Sequence, residues 1–172
     1  MARSIAGVDE TGSPYFPYYR TNLAHVHHFG FGVHADACAP GILTLLDPVR
    51  EQDGLVVELG CGSGVLTRHL VERGHRVIAT DASPAMLDLA RGHAPDAEDV
   101  RLLVLPDDPI PRADAIVSVG HILSYVPDEE AIRRALAAAC AALRPGGEAT
   151  SSYCARTARN GRRDSAGERD AA

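Results

Sequence analysis

The stretch Leu55-Val56-Val57-Glu58-Leu59-Gly60-Cys61-Gly62-Ser63-Gly64 decides how this chain is read. A short apolar run that ends in glycines reads as a strand of a parallel sheet, buried on both faces. Val65 to Glu72 continue as a helix, closed by Gly74 at a C-cap position. At a strand–glycine–helix junction the backbone turns tightly and its N–H groups come close to a ligand. A plain glycine turn between strand and helix would look similar, so spacing has to discriminate. A phosphate-binding P-loop needs G-x-x-x-x-G-K-[ST], and this chain contains no lysine. The dinucleotide pattern G-x-G-x-x-G, counted from Gly60, needs glycine where Val65 stands. The pattern present is E-x-G-x-G-x-G, with Glu58 at the strand tip.

Outward from this loop the texture alternates. Arg76 to Thr80 form a second strand that ends at Asp81. Ser83 caps a helix over 85–91, with Pro84 at its first position. Val100 to Leu105 are a third strand, broken by Pro106, Pro109 and Pro111, and Ala113 to Val119 a fourth. Asp128 caps a helix over 129–144, which Pro145-Gly146-Gly147 stops. A fifth strand over 148–154, EATSSYC, is strangely polar for a central position. Strands alternating with helices at this spacing imply right-handed crossovers and an α/β fold. The expected architecture is a doubly wound, mostly parallel, three-layer α/β/α sheet. In such a sheet the tips of the first two strands lie side by side at the carboxyl edge. Asp81 there can accept both hydrogens of a ribose diol, although a capping aspartate is the competing reading.

Before the sheet, residues 1–35 read as an irregular or partly helical arm rich in glycine, aromatics and histidine. A helix is expected over 36–48, ended by Asp47-Pro48. His25, His27, His28 and His34 match no common metal-ligand spacing, so no metal is expected and the arm reads as a lid. The chain divides into this arm (1–35), a core (36–154) and a tail (155–172) expected to be disordered.

The 172 residues suit one domain, and 45% hydrophobic residues can fill a core. The formal net charge is −6, and all 17 basic residues are arginine. An acidic body disfavours nucleic-acid and anionic-membrane partners. No apolar run is long enough for a transmembrane helix, and the first residues lack the apolar segment of a signal peptide. Cys38, Cys61, Cys140 and Cys154 are scattered without a C-x-x-C pair, so a reducing cytoplasm is the simplest setting.

Taken together, residues 37 to 147 resemble the class I S-adenosylmethionine-dependent methyltransferases. VVELGCGSG is similar to the first motif of that family and VIATDASPAML to its second. ADAIVSVGHILSYVPD is similar to its strand-four motif, and ALRPGG to the turn before strand five. The resemblance implies a Rossmann-like sheet and S-adenosyl-L-methionine as cofactor. It places backbone at Gly60, Cys61, Gly62 and Gly64 beside the methionyl portion and Glu58 toward the amino group. It places Asp81 on the ribose, Ala82 and Met86 near the adenine, and Asp107, rather than Asp108, on the adenine amino group. Ser118 to His121 would face the methyl donor and acceptor. His121 is then either a general base or a wall of the site, and Tyr125 is weighed in the same way. The acceptor implied is a small molecule, methylated on oxygen, nitrogen or carbon.

The family usually adds strands six and seven, for which this sequence has no segment, and aliphatic residues cease after Leu143. That reads as a truncation or a shifted reading frame. It leaves two other possibilities: a non-catalytic S-adenosylmethionine-binding remnant, and a homodimer across an exposed sheet edge. A nucleotide-sugar or dinucleotide enzyme on a related fold is a further alternative, disfavoured by the Glu58–glycine spacing.

Overall fold

The structure is a computed structural model that describes residues 7–8, 14–15 and 21–151. Two short strands, β1 (Gly7–Val8) and β2 (Pro14–Tyr15), pair antiparallel. Helix α1 (Thr21–Glu51) leads into β3 (Leu55–Leu59), and α2 (Val65–Glu72) into β4 (Arg76–Asp81). Helix α3 (Pro84–His93) precedes β5 (Asp99–Leu102) and β6 (Ala113–Ser118). A 3-10 turn (Ile122–Tyr125), α4 (Glu129–Ala142) and β7 (Leu143–Ser151) follow.

β3 to β7 form one parallel sheet in the order β5-β4-β3-β6-β7. The glycine-loop strand is central, and all five of its residues are buried. Chain order reverses across it: β4 and β5 lie on one side, β6 and β7 on the other. That reversal opens a crevice at the carboxyl ends of β3 and β6. The doubly wound topology expected from the alternation is therefore present.

Pleating sends successive β3 side chains to opposite faces. Val56 joins Val77, Ala115 and Val117 against Ile42, Leu46 and Val49 of α1 and Leu66 and Leu70 of α2. Val57 joins Ile78 and Ile116 on the other face, against Ala142 at the end of α4. Ala79 packs with Leu87 and Ala90 of α3. Burying side chains of this size contributes about 1.5–3 kcal/mol each. The starts of β3 and β6 are pinned by Asp114, which accepts from the Leu55 N–H at 2.8 Å and from the Arg144 guanidinium. His75, 5% exposed before β4, has no hydrogen-bond partner for either ring nitrogen among the described residues. Burial pushes its pKa down, so it packs as a neutral ring.

Several boundaries differ from the sequence reading. The helix expected over 36–48 runs from Thr21 to Glu51, so the arm–core boundary at residue 35 falls inside it. Ala35, Ala39, Ile42, Leu46 and Val49 recur at helical spacing and pack on the core, which holds a helix together despite Pro40 and Pro48. The two halves, Asn22–Gly30 and Gly32–Glu51, meet at a 54° bend between glycines. β5 ends at Leu102, short of Leu105. β7 begins at Leu143, earlier than expected, and takes in Pro145-Gly146-Gly147. Its polarity is explained by position, because among the described residues it is an edge strand rather than a central one. The expected disordered tail (155–172) lies outside the described residues. Among the described residues no single helix is long and apolar enough to cross a membrane.

Candidate active site

The loop after β3 holds three glycines in the left-handed region, Gly60 (φ 70°), Gly62 (φ 53°) and Gly64 (φ 81°). Each needs glycine for a different reason. A Cβ on Gly60 would lie 2.0 Å from Ile122 Cγ2, so the 3-10 turn sits directly on this residue. A Cβ on Gly64 would lie 2.9 Å from Ala90 Cα, where α2 begins close against α3. At Gly62 nothing among the described residues lies within 4 Å of an added Cβ, so the backbone conformation and the open space in front of it require glycine.

The loop is tied to the neighbouring strand tip. Gly62 N–H donates to Asp81 Oδ2 at 2.9 Å, Ser83 N–H to Asp81 Oδ1 at 2.8 Å, and Cys61 N–H to the Thr80 carbonyl at 2.8 Å. Ser83 then caps α3 by accepting from Met86 N–H. A carboxylate has about four acceptor positions. With the Ala82 N–H also on it, Asp81 retains acceptor capacity for a hydroxyl donor while holding the loop. Burial pushes its pKa up, against the N–H donors that favour the ionised form.

Glu58 is 2% exposed beneath the loop. Thr67 Oγ1 donates to its Oε2 at 2.6 Å. Desolvation raises its pKa to about 7, opposed by the Thr67 hydrogen bond and reinforced by Asp81. A buried carboxylate at that poise stands ready to ionise when a cation arrives. Cys61 is buried, and desolvation holds its thiol protonated.

Two chambers flank the loop. One is walled by Leu103, Val104, Leu105, Ile122, Tyr125 and Val126, with Asp81 and Ala82 at its polar end. That is a slot for a flat apolar ring beside a diol acceptor. The other lies on the α1 side of the loop, between Glu58, Gly62, His27, His34 and His121. His121 and Ser118 also line an apolar cavity of about 550 Å³ between β6, β7 and α4.

Of the residues singled out in the sequence, Glu58, Gly60, Cys61, Gly62, Asp81, Ala82 and His121 come together around these two chambers. Gly64 supports the loop from behind. Met86 is 2% exposed and lines neither chamber. Asp107 is exposed and accepts from Arg134 Nη1 at 3.1 Å, while Asp108 accepts from Val104 N–H at 2.8 Å. Neither acid lines a chamber; Leu103, Val104 and Leu105 line the first one instead. Ile122 was not anticipated. Its signal in the sequence is indirect, since a glycine under such close contact is visible only once the contacting residue is known. Among the described residues no group of three His, Cys, Asp or Glu side chains could hold a metal.

Comparison with known proteins places this geometry. A family model described as a methyltransferase domain matches residues 56–147. A ubiquinone biosynthesis O-methyltransferase from Idiomarina loihiensis is 34% identical over 119 residues, covering 60% of this chain and 47% of that protein. The chain thus spans about half the length of that relative. A TehB-like S-adenosylmethionine-dependent methyltransferase from Corynebacterium glutamicum superposes with a TM-score of 0.60 at 27% identity, over 74% of this chain and 72% of that one. The DhpI–SAM–HEP complex superposes with a TM-score of 0.61 at 30% identity, over 76% of this chain and 60% of that one. With the matched residues running from the glycine-loop strand to the turn inside β7, the chain belongs to the methyltransferase domain family.

Proposed function

We propose that this chain binds S-adenosyl-L-methionine and transfers its methyl group to an oxygen, nitrogen or carbon of a small molecule. The observation that carries the reading is the left-handed glycine loop tied through Gly62 N–H to a half-buried Asp81 with spare acceptor capacity. The bound cofactor would supply a methyl group already activated by its sulfonium. Asp81 would hold the ribose hydroxyls, with the adenine between Ala82 and the Leu103–Leu105 backbone. Glu58 would meet the amino group beneath the loop, directly or through water. Tyr125 and Ile122 close the slot over the ligand and exclude water. Catalysis is then mostly alignment of acceptor, methyl carbon and sulfur, which is worth roughly 7–11 kcal/mol when the geometry is held.

His121 lies three residues beyond β6, at the start of the 3-10 turn, bordering both the chamber on the α1 side and the apolar cavity. It is placed to accept a proton from an acceptor hydroxyl or amine. The acceptor enters this reading as a class only, and the polymer partners disfavoured by the acidic charge stay outside it.

Thermal shift against S-adenosylmethionine, S-adenosylhomocysteine, NAD and NADP tests the cofactor assignment. Stabilisation by the first two alone supports it, and stabilisation by NAD alone overturns it. Transfer of a labelled methyl group to a small-molecule panel then tests turnover. Tight binding with no transfer to any phenol, amine or carbon acid would favour a non-catalytic binding protein.

A further inference from the structure

Four of the chain's histidines lie in α1 (Thr21–Glu51), three of them before the bend, and the proposed reaction gives none of them a role. One makes a contact that neither the motif nor the fold requires. His28 Nδ1 lies 2.9 Å from Ser63 Oγ, on the outer side of the glycine loop. His93, at the last residue of α3, donates from Nδ1 to the Ser63 carbonyl at 2.6 Å. The two imidazoles stack with centroids 4.2 Å apart and planes 22° from parallel. Ser63 is thus gripped at its side chain from α1 and at its backbone from α3, immediately after Gly62 faces the ligand side.

We propose that His28 and His93 are positioning residues: a stacked imidazole pair that clamps Ser63, sets the glycine loop for the cofactor and lets go when both rings carry charge. The hydrogen bond to the Ser63 carbonyl needs His93 in its Nδ1–H form, which both the neutral and charged rings can supply. The stack is the part that cannot tolerate charge, since a second proton puts like charges 4.2 Å apart. The groups facing His28 offer no relief. His93 comes from α3, Arg68 from α2 and His25 from α1, and all of them, with burial, push its pKa down. Asp36 of α1 is engaged elsewhere, receiving His69 at 2.7 Å and Arg68 at 3.9 Å. Releasing His28 would free the first half of α1, which bends away at Gly30–Gly32 and borders the α1-side chamber through His27.

The inference rests on the S-adenosylmethionine reading for its effect on binding, but the clamp itself can be tested without ligand. In the ligand-free protein, the histidine ring resonances are followed by NMR from pH 8 to 5. The His28 titration is expected to move to higher pH in His93→Asn, which keeps a donor near the Ser63 carbonyl and removes the second charge. An unchanged His28 titration overturns the clamp whether or not any cofactor binds. Calorimetry with S-adenosylhomocysteine at pH 8 and 5.5 then reads the consequence. Wild-type affinity is expected to fall about tenfold more than that of His28→Phe, which keeps a stacking ring that cannot ionise. Glu58→Gln serves as the control, because it removes the buried carboxylate whose pKa is raised to about 7 while leaving the clamp intact. Equal losses in wild type and His28→Phe, with Glu58→Gln flat, would assign the whole pH effect to Glu58 and overturn the proposal.

Discussion

Asp81 carries two duties on one carboxylate. It accepts the Gly62, Ser83 and Ala82 N–H groups, and it lines the slot beside Ala82. Asp81→Ala is expected to weaken S-adenosylhomocysteine binding by about 1.5–3 kcal/mol, the scale of hydrogen bonds to a charged group. Calorimetry on a folded variant checks this, and unchanged affinity would remove the ribose assignment. Glu58 makes a prediction with a definite sign. Its pKa rises from 4.5 unfolded to about 7 in the fold. The stability it contributes is fully present below pH 4.5 and is lost as pH rises through 7, a change of about 3 kcal/mol. Chemical denaturation across pH 4.5–8 should show this slope in wild type and not in Glu58→Gln. A ligand ammonium beside Glu58 would favour its charged form, so binding at pH 6–7 is expected to release protons. Calorimetry in buffers of different ionisation enthalpy reads that release, and no buffer dependence would place the amino group elsewhere.

The glycine loop behaves as an element with two faces. Gly62 opens onto space, whereas Gly60 lies under Ile122. Gly62→Val puts a branched side chain into the left-handed region and into the ligand's approach, at about 1–2 kcal/mol of backbone strain. The expected result is loss of cofactor binding with a cooperative melt retained. Gly60→Ala should act by a different route, displacing Ile122 and the 3-10 turn and lowering the melting temperature as well. Retained affinity in Gly62→Val would mean the loop does not approach the ligand. Helix α1 contributes at the same scale. Its second half is bound to the sheet through Ile42, Leu46 and Val49, while Val26 and Phe29 of its first half are exposed. A well-anchored helix thus carries a lightly anchored extension over the site.

At the scale of the whole molecule the two edges of the sheet differ. β5 is four residues long and carries Arg101 paired with Asp99, a short charged edge that discourages pairing. β7 is nine residues long, has no strand on its outer side among the described residues, and flanks the apolar cavity near half-exposed Leu136. A long unpartnered edge beside apolar surface is a site for self-association. A dimer, or concentration-dependent aggregation, is the expected outcome in light scattering. Thr150→Lys on β7 should shift either toward monomer, and a wild-type monomer at all concentrations would show the edge to be innocuous.

What the amino-acid sequence determined by itself was whatever is local or periodic. The apolar run into E-x-G-x-G-x-G placed β3, the loop and α2, because strand burial and left-handed glycines are properties of short segments. Strand–helix alternation and right-handed crossovers then brought Asp81 beside the loop without any knowledge of side-chain packing. Where packing between distant segments decides, the sequence was silent. Pro40 and Pro48 argue locally against a long helix, yet α1 persists through them because its apolar stripe is buried on the sheet. Met86 and Asp107 stood at motif positions, but one points into the core and the other pairs with Arg134 on α4. Ile122 closes over Gly60, and His28 meets His93 across Ser63, only after three separate elements have packed. Contacts of that kind are set by how helices seat on the sheet, which depends on the summed shape of the core rather than on any stretch of the chain.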